Sequence, residues 1–364
     1  MIRATPFHPR TAALNRDNIW TPRNRFTLSA RFHDNALEAS AARSGVIVSD
    51  ISWRWRVTLE GARVRDLVTR LFTRDAASLP PGQAVKACWL DDAGLVRGAG
   101  VVARHGRQSF QLIAATDDTS WIATAASLFG VEMRDVTETE GGLALIGPFA
   151  AKLLAALGIS PVLEPLQFRE LAWRGLDLTL TRFGEQAGYE LWCRADDALL
   201  LWDRIIAAGE PFGLVPAALD AADILDLEAG VPRPERDYQR GGLAGELRLS
   251  ALIDTDAMGF NGRGAVLAQQ PKRKLVGVAL DSAQPAPFTP LFLGPTQVGH
   301  TLSSVYSPTL RRAIALAQVD NAHAAAGTQL ALLLPPARDR LVPDLAAAHV
   351  TDLPFLLPPD PLPA

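Results

Sequence analysis

Cysteine and histidine are scarce in this sequence. Its 364 residues include two cysteines, Cys88 and Cys193, and six histidines scattered along the chain. Two thiols cannot form a disulfide framework, and so few are typical of a protein from a reducing compartment, which predicts a cytoplasmic location. None of these residues shows the C-x-x-C or H-E-x-x-H spacing of a metal site, so the sequence predicts no structural metal.

An excess of positive charge and a long apolar run are also missing. Lys and Arg number 36 against 39 Asp and Glu, which gives a net charge of −3. A nucleic-acid-binding protein normally carries a basic patch, and a membrane-spanning helix needs about 18 or more uncharged apolar residues. The sequence therefore predicts neither a nucleic-acid partner nor a membrane span. Its length suits two or three domains of about 100–200 residues each.

The hydrophobic pattern alternates between two periods. Residues 53–60 alternate apolar and polar side chains, which predicts a strand, whereas residues 64–72 have the apolar spacing of an amphipathic helix. Further strands are predicted over 84–90, 95–103, 110–114, 143–147 and 176–183, and further helices over 119–129 and 149–157. Strands, hairpins and helices mixed in this way indicate an α+β fold rather than a doubly wound parallel sheet. No G-x-G-x-x-G links a strand to a helix, which argues against a dinucleotide site.

The character of the chain changes near residue 272. Short strand-like segments separated by Gly, Pro, Ser and Asn turns follow, with little helix signal. This pattern predicts an all-β module of the barrel or jelly-roll type. The last residues are rich in proline, which predicts an extended arm that is packed on the surface or loose. The predicted divisions are therefore 1–271, 272–350 and the tail 351–364.

Residues 219–238 combine acids with a buried-helix pattern. They read LDAADILDLEAGVPRPERDY, a helix-forming run that stops at Gly230 and enters a turn bracketed by prolines. A carboxylate buried on most sides costs several kcal/mol unless it is paired or hydrogen-bonded. We therefore expect Asp223 or Glu228 to have a partner or to face a polar channel. Asp220 instead suits the first turn, where the helix dipole favours an acid.

Several segments occur in an informative order. The chain carries GVIVSDIS and VTLEGARVRDLVTRLFTRDAASLPPG, then LALIGPFAAKLL, GEQAGYELW and DAADILDLEAGVPRPERDY, and later GFNGRGAVLAQ and VGHTLSSVYSPTLRRAIALAQV. Together, over roughly residues 40–335, they resemble the glycine-cleavage T-protein (aminomethyltransferase) family. The resemblance implies a three-lobed cloverleaf around a central channel that holds tetrahydrofolate, with a β-barrel as the last lobe.

The same resemblance implies one-carbon chemistry. The family transfers aminomethyl groups in glycine cleavage and methyl groups in relatives. This chain is therefore expected to be a tetrahydrofolate-dependent transferase that demethylates a small N-, O- or S-methyl donor. Two alternatives stay open: a true glycine-cleavage aminomethyltransferase, and a folate-binding relative without chemistry that acts as a scaffold or subunit. A partner subunit is compatible with each of them.

The segment GEQAGYE supplies the expected cofactor-binding residues. A carboxylate can accept the paired N–H groups of a pterin edge, and a ring can pack on its flat face. Glu185 and Glu190 are the candidate carboxylates, and Tyr189 is the candidate ring. The resemblance favours Glu185, although one extra residue before GYE allows Gln186 to take that place.

The chain also departs from the family pattern at two places. The hairpin segment AGLVRGAG has Arg97 and Gly98 where the family carries an acidic pair, which removes the group best able to handle protons. Arg97 is the catalytic candidate, because an arginine could hold an anionic substrate, and an exposed hairpin arginine is the alternative. In the acidic helix, Ala222 and Asp226 stand where the family usually has arginines, so Asp226 reverses the local charge.

Overall fold

The computed structural model describes residues 2–184, 188–234, 237, 241–281, 284–334 and 344–357. The strands within these ranges are β1 (Arg3–Ala4), β2 (Trp20–Arg23), β3 (Phe26–Ser29), β4 (Val46–Asp50), β5 (Trp55–Glu60), β6 (Gln83–Leu90), β7 (Val96–Arg104), β8 (Ser109–Ala114), β9 (Glu132–Asp135), β10 (Glu140–Ile146), β11 (Phe168–Trp173), β12 (Leu176–Thr181), β13 (Gly188–Arg194), β14 (Leu214–Pro216), β15 (Arg273–Leu280), β16 (Pro290–Leu293), β17 (Thr296–Ser307), β18 (Arg312–Asp320), β19 (Gln329–Leu334) and β20 (Asp344–Thr351). The helices are α1 (His8–Leu14), α2 (Asn35–Ser44), α3 (Val64–Leu71), α4 (Thr119–Phe129), α5 (Ala150–Ala156), α6 (Ala198–Gly209), α7 (Leu219–Glu228) and α8 (Arg263–Ala268). None of these helices is long and apolar enough to cross a membrane.

The first lobe is built on a six-stranded sheet. Its strands lie in the order β11-β12-β13-β10-β4-β14, and the β4–β14 pair is parallel whereas the other pairs are antiparallel. One face packs on α5 and α6 through fully buried residues such as Leu145 and Leu191. Because successive side chains of a strand point to opposite faces, Glu190 and Trp192 of β13 lie on the other face.

The second lobe is a five-stranded sheet in the order β6-β7-β8-β5-β9. Helices α3 and α4 cover one face, and Trp55 and Trp89 are buried in that core. The period-two pattern of β6, β7 and β8 directs Lys86, Val101 and Ile113 to the opposite face. This second face turns toward the first lobe.

The third lobe is a closed barrel in the order β15-β18-β17-β16-β19-β20. Strand β18 shows how the sequence makes two surfaces, because Ala313, Ala315 and Ala317 fill the barrel interior while Ile314 and Leu316 point outward. A closed sheet leaves no unpaired edge. The predicted α+β fold with a C-terminal β-barrel is therefore confirmed.

Helix α7 joins the lobes. Ala221, Ile224 and Leu225 pack on α2 and β4, while Leu227 packs on the outer face of the barrel. The helix ends at Gly230, whose φ of +67° lies in the left-handed region that glycine tolerates. The chain then turns toward the interface between the first two lobes.

The segment after the last barrel strand lies against α7. The backbone N–H of Leu356 donates to the carbonyl of Glu228 at 2.9 Å, and Phe355 packs with the cluster around Leu227. Residues 352–357 are thus packed on the molecule, which is one of the two outcomes expected for the tail. The predicted boundaries at 271/272 and 350/351 stay predictions.

Candidate functional site

A cavity of about 380 Å³ lies where the two sheets meet the end of α7. This volume falls in the range of about 300–1,000 Å³ that is usual for small-molecule sites. The cavity is lined by Arg23, Trp53, Arg54, Lys86, Ala99, Gly100, Val101, Ile113, Ala114, Ala115, Phe183, Gly184, Asp226, Ala229, Gly230, Val231, Pro232, Arg233, Pro234, Arg248, Leu249, Ala251 and Leu252. Both sheets, α7 and the segment after it thus contribute residues to the lining of this cavity, which we call the wall.

Two arginines of the wall are held by one buried acid. Arg23 from β2 forms two hydrogen bonds with Asp223 of α7, at 3.2 and 3.1 Å. Nη1 of Arg233 lies 2.5 Å from Oδ2 of the same carboxylate. Asp237 adds a second acid, since its carboxylate accepts a 2.7 Å hydrogen bond from the backbone N–H of Arg233. The expectation that Asp223 has a partner is therefore confirmed.

A third arginine of the cavity lining, Arg54, pairs with Glu190 of the first sheet. Nη1 of Arg54 donates a hydrogen bond to Oε1 of Glu190. Thr181 and Trp192 donate to the other oxygen of that carboxylate, at 3.1 and 3.2 Å. Burial alone would raise the pKa of Glu190, but Arg54 and these donors outweigh it and lower that pKa. Glu190 is thus an ionised acid that orients Arg54.

Asp226 has a different environment from these paired acids. It lies on α7, is partly buried and lines the cavity. No residue in the described part of the chain hydrogen-bonds to its carboxylate. Burial and the nearby Asp223 raise the pKa of Asp226 to about 6, against the opposing influence of Arg54, Arg233 and Arg23. This carboxyl can therefore change its protonation close to neutral pH.

Arg233 carries an unused donor at the same wall. Its side chain is 5% exposed, and Nη2 has no hydrogen-bond partner among the described residues. A buried guanidinium N–H without an acceptor is unfavourable, so such groups usually mark the place of a ligand or an ordered water. The lining thus includes the carboxylate of Asp226, and Nη2 of the lining residue Arg233 is buried without an acceptor among the described residues.

Two aromatic rings complete the wall. Trp53 is 9% exposed, and the guanidinium of Arg23 lies 4.9 Å from the centre of its ring. Phe183 follows β12 and contacts Phe168 edge-on, with ring centroids 5.9 Å apart. Trp53 therefore offers its ring to the cavity, which three other buried tryptophans do not line. The other three are buried in apolar cores: Trp55, Trp89 and Trp173.

The residues predicted from GEQAGYE separate in the structure. Glu190 points to Arg54 behind the cavity wall, whereas Tyr189 points to the opposite face of β13 and joins the core of the first lobe. Burial raises the pKa of Tyr189, in line with that apolar position. Glu185 and Gln186 lie outside the described residues. Neither Tyr189 nor Glu190 is among the described residues that line the cavity.

Arg97 is engaged elsewhere in the second lobe. Its Nε and Nη2 contact the carboxylate of Asp118 at 3.0 and 2.8 Å, and its guanidinium stacks 4.1 Å from the ring centre of Trp121. Trp89 donates to the same carboxylate at 2.9 Å. Arg97 is not among the described cavity-lining residues, so its catalytic role stays a prediction that this geometry does not support. Within the described ranges no group of His, Cys, Asp or Glu is arranged to hold a metal ion.

Sequence comparison identifies the family to which this architecture belongs. Residues 8–257 match the GCVT N-terminal domain, and residues 273–356 match the glycine cleavage T-protein C-terminal barrel domain. The chain belongs to the glycine-cleavage T-protein family. The predicted family membership is therefore confirmed.

Individual T-protein relatives show the range of similarity. An aminomethyltransferase of Symbiobacterium thermophilum is 30% identical, with 88% of this chain and 89% of the relative covered. One of Frankia alni is 33% identical, with 78% and 80% covered. A trimethylamine-oxide aldolase of Ruegeria pomeroyi is 28% identical, and the match spans 80% of this chain but 40% of that protein.

A solved structure shows the same fold. The glycine cleavage system aminomethyltransferase T of Bartonella henselae superposes with a TM-score of 0.88 and covers 99% of both chains, at 21% identity. This likeness shows that the described residues have the T-protein fold.

Sequence reasoning missed most of the charged lining residues as parts of the site, among them Arg54, Arg233 and Asp226. Asp226 was visible as an acid where the family usually has an arginine. Arg233 was visible between two prolines, which hold the chain in a fixed turn. Arg54 gave no such signal, because it sits in an alternating strand pattern that suggests a solvent-facing side chain.

Proposed function

We propose that this protein is a tetrahydrofolate-dependent one-carbon transferase that removes a methyl group from a small N-, O- or S-methyl compound. The observation that carries the proposal is the cavity between the first two lobes, whose lining includes the carboxylate of Asp226 and several arginines. A T-protein fold with a plugged interior would have no place for a cofactor. In this protein the space between the first two lobes is an open cavity, and its lining includes the polar side chains of Arg23, Arg54 and Asp226.

The residues of the cavity fit tetrahydrofolate chemically. The pyrimidine ring of its reduced pterin is flat and carries N–H donors beside an oxygen acceptor, and the cavity offers Trp53 and Phe183 as ring surfaces. Its glutamyl end is anionic, and Lys86 and Arg248 are cations of the same lining. When bound, tetrahydrofolate would supply the reduced nitrogen that accepts the one-carbon unit.

The protein's own contribution is alignment and proton handling. Methyl transfer from an activated donor depends mainly on holding donor and acceptor in line, which a rigid wall achieves. The ion pairs Arg23–Asp223 and Arg54–Glu190 fix that wall. Asp226 is the one carboxylate among the described lining residues, so it is the group suited to hold or release a proton there.

The donor class is proposed from the relatives and from the cavity. The trimethylamine-oxide aldolase of Ruegeria pomeroyi, by its name, acts on trimethylamine oxide, an N-methyl compound, which favours an N-methyl donor for this chain as well. Aminomethyl transfer is the second candidate, favoured by the relatives named aminomethyltransferase. A cytoplasmic location and a partner subunit complete the proposal, and the buried, unpaired thiols of Cys88 and Cys193 suit a reducing compartment.

The first experiment is tetrahydrofolate binding to the full chain. Isothermal titration calorimetry at pH 7 under reducing conditions should give a 1:1 complex with micromolar or tighter affinity. Tryptophan fluorescence should be quenched as well, because Trp53 lines the cavity. Failure to bind would remove the proposal, and the alternative of a folate-binding relative without chemistry with it.

A second experiment separates the chemical alternatives. The protein is incubated with tetrahydrofolate and a panel of N-, O- and S-methyl donors, and the folate products are separated by mass. Appearance of methyltetrahydrofolate with one donor supports demethylation. Formation of methylenetetrahydrofolate from an aminomethylated lipoyl carrier supports glycine cleavage, and folate binding without any product supports a non-catalytic relative.

A further inference from the structure

The segment that follows the last barrel strand passes close to the cavity. We call residues 352–357 the strap. Leu353 of the strap lines a cleft of about 310 Å³, and this cleft shares Arg248 and Ala251 with the lining of the cavity. The strap therefore lies beside the cavity, although none of its residues is among the described residues that line the cavity.

One side chain joins the strap to the cavity wall. Nη1 of Arg248 donates to the carbonyl of Gly230 at 3.1 Å, and Nη2 donates to the carbonyl of Leu353 at 3.1 Å. Gly230 ends α7 and lines the cavity, whereas Leu353 belongs to the strap. The planar guanidinium thus bridges two backbone segments, which needs two donors in a fixed relative position.

The three segments meet closely at Gly230. A Cβ added at Gly230 would lie 2.9 Å from Nη1 of Arg248 and 3.0 Å from Cβ of Leu353. Directly after this glycine, the N–H of Val231 donates to the carbonyl of Asp226 at 2.9 Å, and both residues line the cavity. A displacement of the strap would therefore be passed on to the turn after α7, which supplies part of the wall.

The backbone of Arg248 is in an unfavourable conformation. Its φ of +60° lies in the left-handed region, which residues with a Cβ seldom adopt and keep only where the surrounding structure holds them. The two hydrogen bonds to Gly230 and Leu353 are contacts of this kind. Arg311 has a similar φ of +54°, but its side chain makes no hydrogen bond or ion pair within the described residues. Arg311 is therefore a matched comparison for Arg248.

We propose that the strap stabilises the wall of the cavity and that Arg248 is the positioning residue that couples the two. Attachment of the strap and occupancy of the cavity then stabilise each other, because coupling between two sites is reciprocal. The strap influences the ligand in this way without contacting it. The proposal rests on the proposed function for its ligand, tetrahydrofolate.

The test measures amide hydrogen exchange in the full-length protein, with and without saturating tetrahydrofolate. The N–H of Leu356 reports on the strap and the N–H of Val231 on the turn, because each donates to a backbone carbonyl that local opening would release. Wild type is compared with Arg248→Asn, Arg248→Lys and the control Arg311→Asn. Asparagine tolerates the left-handed region, so Arg248→Asn removes both hydrogen bonds without adding backbone strain.

In wild type we expect tetrahydrofolate to slow exchange at Leu356 at least threefold. In Arg248→Asn, exchange at Leu356 should be at least threefold faster in the free protein, and tetrahydrofolate should no longer slow it. Calorimetric affinity of this variant for tetrahydrofolate should fall by about the factor by which the ligand slows exchange in wild type. Arg311→Asn should match wild type. If tetrahydrofolate slows exchange equally in wild type and Arg248→Asn, the proposal is wrong and the role of Arg248 is structural.

The lysine variant separates the hydrogen bonds from the charge. Arg248→Lys keeps the cation beside the cavity, but an ammonium cannot bridge the two carbonyls as a guanidinium does. It should therefore lose most of the effect of tetrahydrofolate on exchange at Leu356. A lysine variant that keeps the wild-type effect and affinity would show that the charge is sufficient, which contradicts the bridging role.

A second measurement needs no ligand. Phe355→Ala removes the ring that packs the strap on the cluster around Leu227, and it should speed exchange at Val231 at least threefold. In the Arg248→Asn background the same change should have no further effect on Val231, because the connection is already broken. Equal effects in both backgrounds contradict the proposal. Circular dichroism and the melting temperature establish folding, and Leu353→Ala takes the place of Phe355→Ala if that variant does not fold.

The outcomes separate this proposal from the proposed function. If wild type does not bind tetrahydrofolate, the proposed function fails, and the ligand-free exchange at Val231 decides whether the strap is coupled to the wall. If wild type binds tetrahydrofolate but the effects of Arg248→Asn and Phe355→Ala are independent of each other and of the ligand, the strap proposal fails while the proposed function stands.

Discussion

Asp223 and Asp226 show how far the environment of one residue decides its chemistry. They are three positions apart on α7, yet Asp223 is held by Arg23 and Arg233 whereas Asp226 has no hydrogen-bond partner in the described ranges. An acid that is paired keeps its charge inside a protein, and one that is buried without a partner tends to take up a proton. Asp223 therefore supports the wall, and Asp226 is left available to a ligand.

Replacing Asp226 should change how stability depends on pH. Its pKa is raised from 3.8 to about 6 in the folded state, so the folded protein binds this proton more tightly than the unfolded chain does. The stability that Asp226 contributes is therefore full below pH 3.8 and is lost as pH rises through 6. A shift of this size corresponds to about 3 kcal/mol at most.

We accordingly expect Asp226→Asn to melt at a higher temperature than wild type at pH 7–8, and the difference to shrink toward pH 4. Urea unfolding followed by circular dichroism at five pH values measures the free energy of unfolding directly. Asp92→Asn serves as the control, because its carboxyl is exposed. A variant that is less stable than wild type at pH 8 would mean that the ionised carboxylate is paired after all.

At the scale of elements, α7 has a different partner on each side. Its acids are distributed accordingly: Asp223 faces the arginines of the cavity wall, and Glu228 faces the barrel and α2. Glu228 is fully buried, accepts from Ser307 at the end of β17 and pairs with Arg43 of α2. The expectation that a buried acid of this helix has a partner therefore holds for Glu228 as well.

Removing the Glu228 carboxylate should loosen this three-way contact. Glu228→Ala leaves Arg43 and Ser307 without their acceptor, and breaking a buried ion pair from one side costs about 3–5 kcal/mol. Arg43 is 19% exposed and can partly reach water, so a loss near the lower limit is expected. Chemical denaturation gives the change. Ser307→Ala removes the hydrogen bond that Ser307 donates to Glu228 and the one that it accepts from the backbone N–H of Leu310, and it should cost about 1–2 kcal/mol. Equal losses in both variants would contradict the role of the ion pair.

The elements that could be predicted are those with strong local patterns. Helix α4 was expected over 119–129 and spans Thr119–Phe129, and most strands of the second sheet lie within one residue of their predicted limits. The N-terminal elements β1 to β3, α1 and α2 were not predicted, because short strands and weakly amphipathic helices carry little periodic signal.

The site was harder to predict, because its contacts are long-range. Arg23 and Asp223 are 200 positions apart, and no local pattern relates them. The segment GEQAGYE predicted Glu185 or Glu190 as the cofactor-binding carboxylate, and Glu185 lies outside the described residues. The pleat of β13 places Tyr189 in the core and Glu190 behind Arg54. The family resemblance predicted the cavity, and the charge reversal at Asp226 was the one sequence feature that marked its distinctive residue.

At the scale of the whole molecule, the cavity and the barrel are separate structures joined through α7. The described lining residues end at Leu252, before the first barrel strand. The barrel nevertheless covers one side of α7, where Ile314 and Leu316 pack around Leu227. It should therefore contribute to the cavity through stability rather than through contact with the ligand.

The variant Ile314→Ala tests this division. Ile314 is fully buried between the barrel and α7, so its truncation should cost about 2–5 kcal/mol. Calorimetric affinity for tetrahydrofolate, measured well below the melting temperature, should stay within threefold of wild type, and bound folate should raise the melting temperature of both proteins by a similar amount. Tyr306→Ala, at a position that is 52% exposed on the same barrel, is the control and should change neither quantity. A folded Ile314→Ala protein with affinity weakened more than tenfold would instead mean that the barrel fixes the geometry of the cavity through α7.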